Sequence, residues 1–230
     1  AVRDLDEILV KLIDGVTAGL GKDPLWLVAS EYVITPVDHV AYPNRTLREA
    51  GLLQTKACEG GGELVDFEQS AAWALVDHQF SHIFVRDADP QVIRKVVQLF
   101  ENQPGIAEVL AGEGRKKFDL DHPRSGEVVL ISTADSWQAY YYWLDDAQAP
   151  GFARTVDIHR KPGYDPVEMH FDPATRGIPL DATLVKGSHG APAHDEQQRG
   201  VILASQPGVL VGNALADIDV ASLVLQQFGV

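Results

Sequence analysis

Lys186-Gly187-Ser188-His189-Gly190 is followed a short distance on by the apolar run Gly200-Val201-Ile202-Leu203-Ala204. Glycine permits positive φ and lets the main chain approach a ligand closely, so a histidine between glycines can meet a ligand with little steric obstruction. The apolar run predicts a strand. His189 is therefore the first candidate site residue, and the alternative is a loop histidine beside a tight turn.

A second short apolar run, Leu25 to Ala29, predicts a buried parallel strand, because strands covered on both faces are continuously apolar. Apolar residues spaced three and four apart over residues 2–16 predict an amphipathic helix before it. Asp89-Pro90 predicts the start of another helix, since aspartate caps the first turn and proline suits the first helical position. Further strands are predicted over 71–75, 83–85, 106–110, 127–132, 138–143 and 201–204, and further helices over 46–50 and 219–228.

Strands alternating with helices at both ends of the chain indicate an α/β fold, with a mainly parallel sheet and helices on both of its faces. We expect residues 1–70 to form a core segment, 71–180 an α+β insertion with a long loop, and 181–230 the return to the core. The chain starts at Ala1 and its only methionine is Met169, so we expect a part upstream of Ala1 to be missing.

The net charge of −14 gives a field that repels nucleic acid and anionic membrane surfaces, so neither is an expected partner. No run approaches the length of a membrane span, and no secretory signal opens the chain. We therefore expect a soluble protein, with the cytoplasm favoured. The single cysteine, Cys58, excludes an internal disulfide, so a metal site would have to use histidine and carboxylate ligands.

Candidate ligands of that kind follow the predicted strands. Ligands in open α/β sheets bind beyond the carboxyl ends of the strands, where Glu31 stands. Zinc and related ions prefer imidazole and carboxylate when thiolate is absent. For each Asp-His pair the alternative is a surface hydrogen bond, and an exposed lysine is usually only solvated. The candidates besides His189 and Glu31 are Tyr32, Asp38, His39, Asp77, His78, His82 and Lys186.

The order of Ser30-Glu31-Tyr32, an inserted segment, the Gly-Ser-His-Gly turn and the strand 200–204 resembles the C-terminal half of the alkaline phosphatase superfamily, in its type I phosphodiesterase/nucleotide pyrophosphatase branch. In that family the histidine of a Gly-x-His-Gly turn binds zinc, and the match assigns this role to His189. The family usually has Ser-Asp-His-Gly after the first strand. Here Glu31 can still donate a carboxylate, but Tyr32 is a poor zinc ligand because its phenol has a pKa of about 10.

The resemblance implies hydrolysis of phosphate mono- or diesters, or of phosphonates, by in-line attack with two divalent metal ions, zinc above all. Asp38 and His39 could replace the altered ligand, although no family motif assigns them. The family's nucleophile has no counterpart here and is expected upstream of Ala1, so no catalytic residue is assigned and the chain alone is expected to be inactive. A small phosphorylated or phosphonate substrate is expected, and an exposed sheet edge makes a homo-oligomer plausible.

Two other functions stay open. A non-catalytic member of the same fold, with a degraded metal site, would bind a ligand or a partner. An α/β enzyme of another class would use a single metal at Asp77, His78 and His82. That third function gains support if His189 lies far from those residues and by itself holds no metal.

Overall fold

The computed structural model describes residues 2–155 and 170–230. The described chain divides into two compact units, one made of residues up to 33 together with 199–230, the other of 34–198. Ala1 and part of the predicted long loop, residues 156–169, lie outside the described residues. The nucleophile expected upstream of Ala1 stays a prediction. The expected division of the chain into residues 1–70, 71–180 and 181–230 also stays a prediction.

The first unit contains α1 (Val2–Leu20), β1 (Leu27–Ala29), β12 (Ile202–Ala204) and α4 (Val220–Gln226). The predicted helix is confirmed as α1, but none of its side chains is buried. β1 pairs with β12 in antiparallel register, and Val28 is 38% exposed. The prediction of a buried parallel strand is therefore wrong. A short apolar run is compatible with either environment, and its pairing partner, far away in sequence, decides between them.

The second unit is built on a four-stranded sheet in the order β6-β7-β9-β8. The strands are β6 (Ala72–Asp77), β7 (Phe80–Val85), β8 (Ile106–Ala111) and β9 (Val128–Ser132). All three pairings are antiparallel. α3 (Pro90–Phe100) packs against β8 and β9, with Val96 and Phe100 buried. Its predicted cap is confirmed, because the Asp89 carboxylate accepts from the Gln91 amide at 2.7 Å.

The described residues of the second unit form three further two-stranded pairings. β2 (Thr35–Pro36) pairs with β11 (Gly187–Ser188), and β4 (Thr55–Ala57) with β5 (Glu63–Val65), both antiparallel. β3 (His39–Ala41) and β10 (Ser136–Gln138) are parallel. The described residues thus form a mixed α/β protein with several small, mostly antiparallel sheets. The predicted α/β class is confirmed, and the predicted mainly parallel sheet is wrong. Tight turns such as the one between β6 and β7 can join only antiparallel strands, since a parallel pair needs a long crossover.

The segment Ala139 to Trp143, predicted as strand, is not strand, and all of its residues except Tyr140 are buried. Trp143 is fully buried and stacks on the Tyr141 ring with centroids 4.4 Å apart. The Trp143 carbonyl accepts a hydrogen bond from Arg45 Nε at 2.7 Å. The Tyr142 carbonyl accepts one from Arg48 Nη1 at 3.2 Å. Both arginines belong to α2 (Pro43–Glu49). Their guanidinium groups therefore satisfy the carbonyls that a neighbouring strand would otherwise have to pair.

The open edge of β6 is protected by a side chain of α2. The Asn44 carboxamide donates to the Ala74 carbonyl at 2.9 Å and accepts from the Ala74 amide at 2.8 Å. Asn44 is buried, so this pairing takes the place that a further strand would occupy on the edge. The edge of β6 is therefore satisfied by a side chain at Ala74.

Candidate functional site

The β6–β7 turn carries two of the predicted residues. His78 and Gln79 join the strands, and His78 has a positive φ of 55°. Its Nδ1 atom lies 2.5 Å from the Asp77 carboxylate. A non-glycine residue in this conformation is strained and persists only where the surroundings hold it. The Gln138 amide, which donates to the His78 carbonyl at 2.7 Å, is one such restraint.

The Gly-Ser-His-Gly loop lies directly against this turn. The Gln79 amide donates to the His189 carbonyl at 3.0 Å, and the Gln79 side-chain oxygen accepts from the Ala191 amide at 3.3 Å. The imidazole rings of His78 and His189 are stacked, with centroids 4.0 Å apart and planes inclined by 30°. The structure therefore brings together Asp77, His78 and His189, which the sequence analysis had placed in two separate motifs.

The glycine after His189 is required by this packing. Gly190 has φ +108°, and a β-carbon there would lie 3.3 Å from the Phe80 ring and 3.5 Å from the Gln79 amide nitrogen. Side chains rarely adopt that backbone conformation, and the space is already tight. Gly190 thus allows the loop to press against the hairpin, as the sequence pattern suggested.

Gln79 is the residue that sequence reasoning missed. It is 2% exposed, and its side-chain amide donates to the carbonyls of Ala134 and Ser136 at 3.1 and 2.9 Å. Ser136 in turn bonds through its hydroxyl to Nδ1 of His39 at 2.9 Å. A hydrogen-bonded chain therefore runs from His39 through Ser136 and Gln79 to His189. No local pattern marks a glutamine in a hairpin turn as the centre of such a network.

His82 has a different environment on β7. Its Nδ1 accepts a hydrogen bond from the Gly126 amide at 3.2 Å. Burial lowers the pKa of His82, and the positive charge of Arg115 lowers it further. A neutral imidazole is therefore favoured, with one nitrogen already occupied. The alternative of a single metal at Asp77, His78 and His82 would gain support if His189 lay far from these residues. That condition is not met, because the His189 ring stacks directly on His78.

The remaining candidates are exposed and are divided between the two units. Glu31 and Tyr32 follow β1 in the first unit. Asp38 and Lys186 belong to the second unit, where their main chains are engaged: the Asp38 amide donates to Asp135, and the Lys186 carbonyl accepts from Val37. The roles of these four residues stay predictions.

The candidate ligands have the chemistry that zinc prefers, but they do not form a complete site among the described residues. Across 2–155 and 170–230, no group of three or more His, Cys, Asp or Glu side chains is arranged to hold a metal ion. Structural and catalytic zinc sites use at least three protein ligands.

Among the helices of the described residues, none has the length and apolar composition of a membrane span.

The architecture and the histidine loop define a mixed α/β protein in which the His189 and His78 rings stack beside a hairpin turn. A family model supplies the particular assignment: the chain belongs to the type I phosphodiesterase / nucleotide pyrophosphatase family, whose model matches residues 1–165. The predicted resemblance is confirmed. The match ends before Gly187, so the role of His189 does not come from it.

Two solved structures are similar to the chain, both of phosphonoacetate hydrolase from Sinorhizobium meliloti 1021. The complex with phosphonoacetate has 17% identity and a TM-score of 0.38, over 54% of this chain and 30% of that one. The complex with phosphonoformate has 18% identity and a TM-score of 0.39, over 58% and 32%. The chain thus spans about a third of those proteins. Among curated proteins no sequence matches.

Proposed function

We propose that this chain is part of a metal-dependent hydrolase that cleaves phosphate mono- or diesters, or phosphonates. Membership of the phosphodiesterase/nucleotide pyrophosphatase family supports a hydrolase of this class. The observation that carries the proposal is the His189 imidazole, held on a Gly-Ser-His-Gly loop by a backbone hydrogen bond and by the stacked His78 ring. A histidine fixed in this way offers a nitrogen ligand of defined direction.

In this proposal His189 of the second unit is a ligand of a divalent cation, most simply zinc. Asp38 or His39 of the same unit replaces the histidine that the family motif would place at Tyr32, and Glu31 of the first unit is proposed separately as a carboxylate ligand. Of these, His39 already uses Nδ1 for Ser136, which leaves its other nitrogen for a cation. Tyr32, Asp77, His78, His82 and Lys186 are proposed to support the ligands or contact the substrate. The exposed Lys186 ammonium would attract an anionic substrate.

We propose further that these 230 residues hold only part of the site, with the nucleophile supplied from upstream of Ala1. The family reaction uses a nucleophile and two metal ions, whereas the described residues contain no group of three ligands. No reaction step is therefore assigned to residues of this chain. In this proposal the chain contributes an oriented imidazole, carboxylate groups for the metal ion and a lysine ammonium group for the substrate.

Hydrolysis and metal content test the proposal together. Both are measured for the 230-residue polypeptide and for a version extended by its native flanking sequence, with bis(4-nitrophenyl) phosphate and phosphonoacetate as substrates. We expect zinc-dependent turnover by the extended protein and none by the polypeptide. Robust turnover by the polypeptide would refute the partial site. An extended protein that binds zinc and turns over neither substrate would refute hydrolysis of phosphate diesters and phosphonates.

A non-catalytic binding protein is the second candidate, and the Ser30-Glu31-Tyr32 sequence favours it, because tyrosine stands where the family has a ligating histidine. The metal content decides between the two functions. Two divalent ions per extended chain support the enzyme, and none supports the binding protein.

We also propose that the polypeptide self-associates. α1 exposes apolar side chains such as Val2, 84% exposed, and Leu5, 66% exposed, and contiguous apolar surfaces of this kind tend to find partners. Sedimentation velocity at rising concentration should show a dimer or larger species, and a clean monomer throughout would contradict this.

A further inference from the structure

We propose that His78 and Gln79 are positioning residues that fix the orientation of the His189 imidazole. Neither is a metal ligand in this proposal. They act through His189, and the consequence for metal affinity rests on the function proposed above. The clamp itself is a property of the fold and can be tested without a metal.

Gln79 fixes the backbone on both sides of His189. Its amide holds the His189 carbonyl, and its side-chain oxygen holds the Ala191 amide. The two carbonyls that accept from its side-chain nitrogen determine which end of the carboxamide faces the loop. Because Gln79 is 2% exposed, water cannot easily replace these bonds, and removing one partner of a buried hydrogen bond is costly.

His78 fixes the ring. Its own imidazole is held by the Asp77 carboxylate at one nitrogen and by the rigid turn at its backbone. The ring then covers one face of the His189 imidazole at a centroid distance of 4.0 Å. A cation binds in the plane of an imidazole, at a nitrogen lone pair, so stacking on the ring face restrains the imidazole without itself using a nitrogen. Groups that orient a metal-ligating histidine commonly change metal affinity 10- to 100-fold (order of magnitude) when they are removed.

Variants at position 78 separate stacking from other effects. His78→Ala removes the stacked ring, His78→Phe keeps a flat ring but loses the bond to Asp77, and His122→Ala removes an exposed histidine elsewhere as the control. Zn²⁺ is titrated into the protein extended by its native flanking sequence, and the ring C–H signals of His189 are followed by NMR. We expect His78→Ala to weaken binding roughly 10- to 100-fold, with most of the affinity restored in His78→Phe.

A second measurement tests the clamp without metal. In the metal-free protein, His78→Ala should remove the ring-current shift of the His189 signals. Gln79→Leu should speed hydrogen exchange of the Ala191 amide, while the amides of β9 stay protected and show that the fold is intact.

The outcomes are distinguishable. Wild-type protein whose His189 signals do not respond to Zn²⁺ would refute the metal role proposed for His189, whereas the metal-free measurements would still decide the clamp. If wild type and His78→Ala bind Zn²⁺ equally tightly, or if the His189 signals are the same in both metal-free proteins, His78 is not a positioning residue. Unchanged exchange at Ala191 in Gln79→Leu would refute the role of Gln79.

Discussion

The helices α1 and α3 have the same kind of amphipathic pattern, but they differ in how far their apolar side chains are buried. α3 buries Val96 and Phe100 against the sheet of the second unit, whereas α1 in the first unit buries none of its side chains. Among the described residues of the first unit, Leu223 is the one buried hydrophobic side chain, and the other core residues lie in the second unit. A periodic apolar stripe therefore determines that a helix forms. It does not determine what covers the stripe, which depends on tertiary partners.

The largest effect separates the two units by a matched pair of phenylalanines. Phe100→Ala should lower the free energy of unfolding of the second unit by about 3–5 kcal/mol, because Phe100 is 1% exposed and its removal leaves a cavity. Phe228 lies in the first unit and its side chain is 78% exposed, so Phe228→Ala should change the free energy of unfolding of that unit by less than about 0.5 kcal/mol. Urea denaturation measures both. Equal losses would show that Phe228 is covered in solution.

A pair of asparagines gives the next effect. Asn44→Ala should cost about 1–3 kcal/mol, since it leaves the Ala74 amide and carbonyl without their partner at the edge of β6. Asn213 is exposed in the first unit, and its replacement by alanine serves as the control, with no measurable change expected. Thermal unfolding of each variant checks this. A neutral Asn44→Ala would mean that water or another group reaches the edge.

The two aspartate-led helices provide a smaller contrast. Asp89→Ala removes a hydrogen bond to the Gln91 amide at the start of α3 and should cost about 1 kcal/mol. Asp219 precedes α4 without a capping hydrogen bond from its side chain, so Asp219→Ala should have little effect on stability. Urea midpoints of the two variants give the comparison. If Asp219→Ala is as damaging as Asp89→Ala, the capping explanation is wrong.

The smallest effect is a pH dependence confined to the second unit. Burial lowers the pKa of His82 in the folded protein, so the unfolded chain binds the proton more readily. The stabilising contribution is complete above the unfolded pKa of about 6.5 and declines as the pH falls toward the lower folded pKa. His82→Gln should flatten this decline in unfolding free energy measured between neutral and mildly acidic pH. An unaltered slope would assign the dependence to other groups.

Local features of this fold were predictable and long-range ones were not. The Asp89-Pro90 start of α3 and the β6 and β7 strands follow from residues adjacent in sequence. The antiparallel partner of β1 and the non-strand conformation of Ala139 to Trp143 depend on contacts with distant residues, such as the hydrogen bonds from Arg45 and Arg48. Sequence patterns contain no direct record of such contacts.

The same distinction holds at the candidate site. His189 and His78 could be selected by residue type and neighbouring glycine or aspartate. Their stacking could not, because the hydrogen bond from Ala191 to Gln79 that accompanies it spans 112 positions. No motif marks Gln79, since its importance lies in its burial and in hydrogen bonds to residues distant in sequence, such as His189, Ala191 and Ser136.

The central claim is that the clamped His189 imidazole is a metal ligand. Anomalous diffraction at the zinc edge, from crystals of the extended protein grown with Zn²⁺, tests this most directly. We expect a zinc peak about 2.0–2.1 Å from a ring nitrogen of His189, with the His78 ring still stacked on the imidazole. A fully occupied zinc site that excludes His189 would contradict it, as would crystals in which no zinc binds.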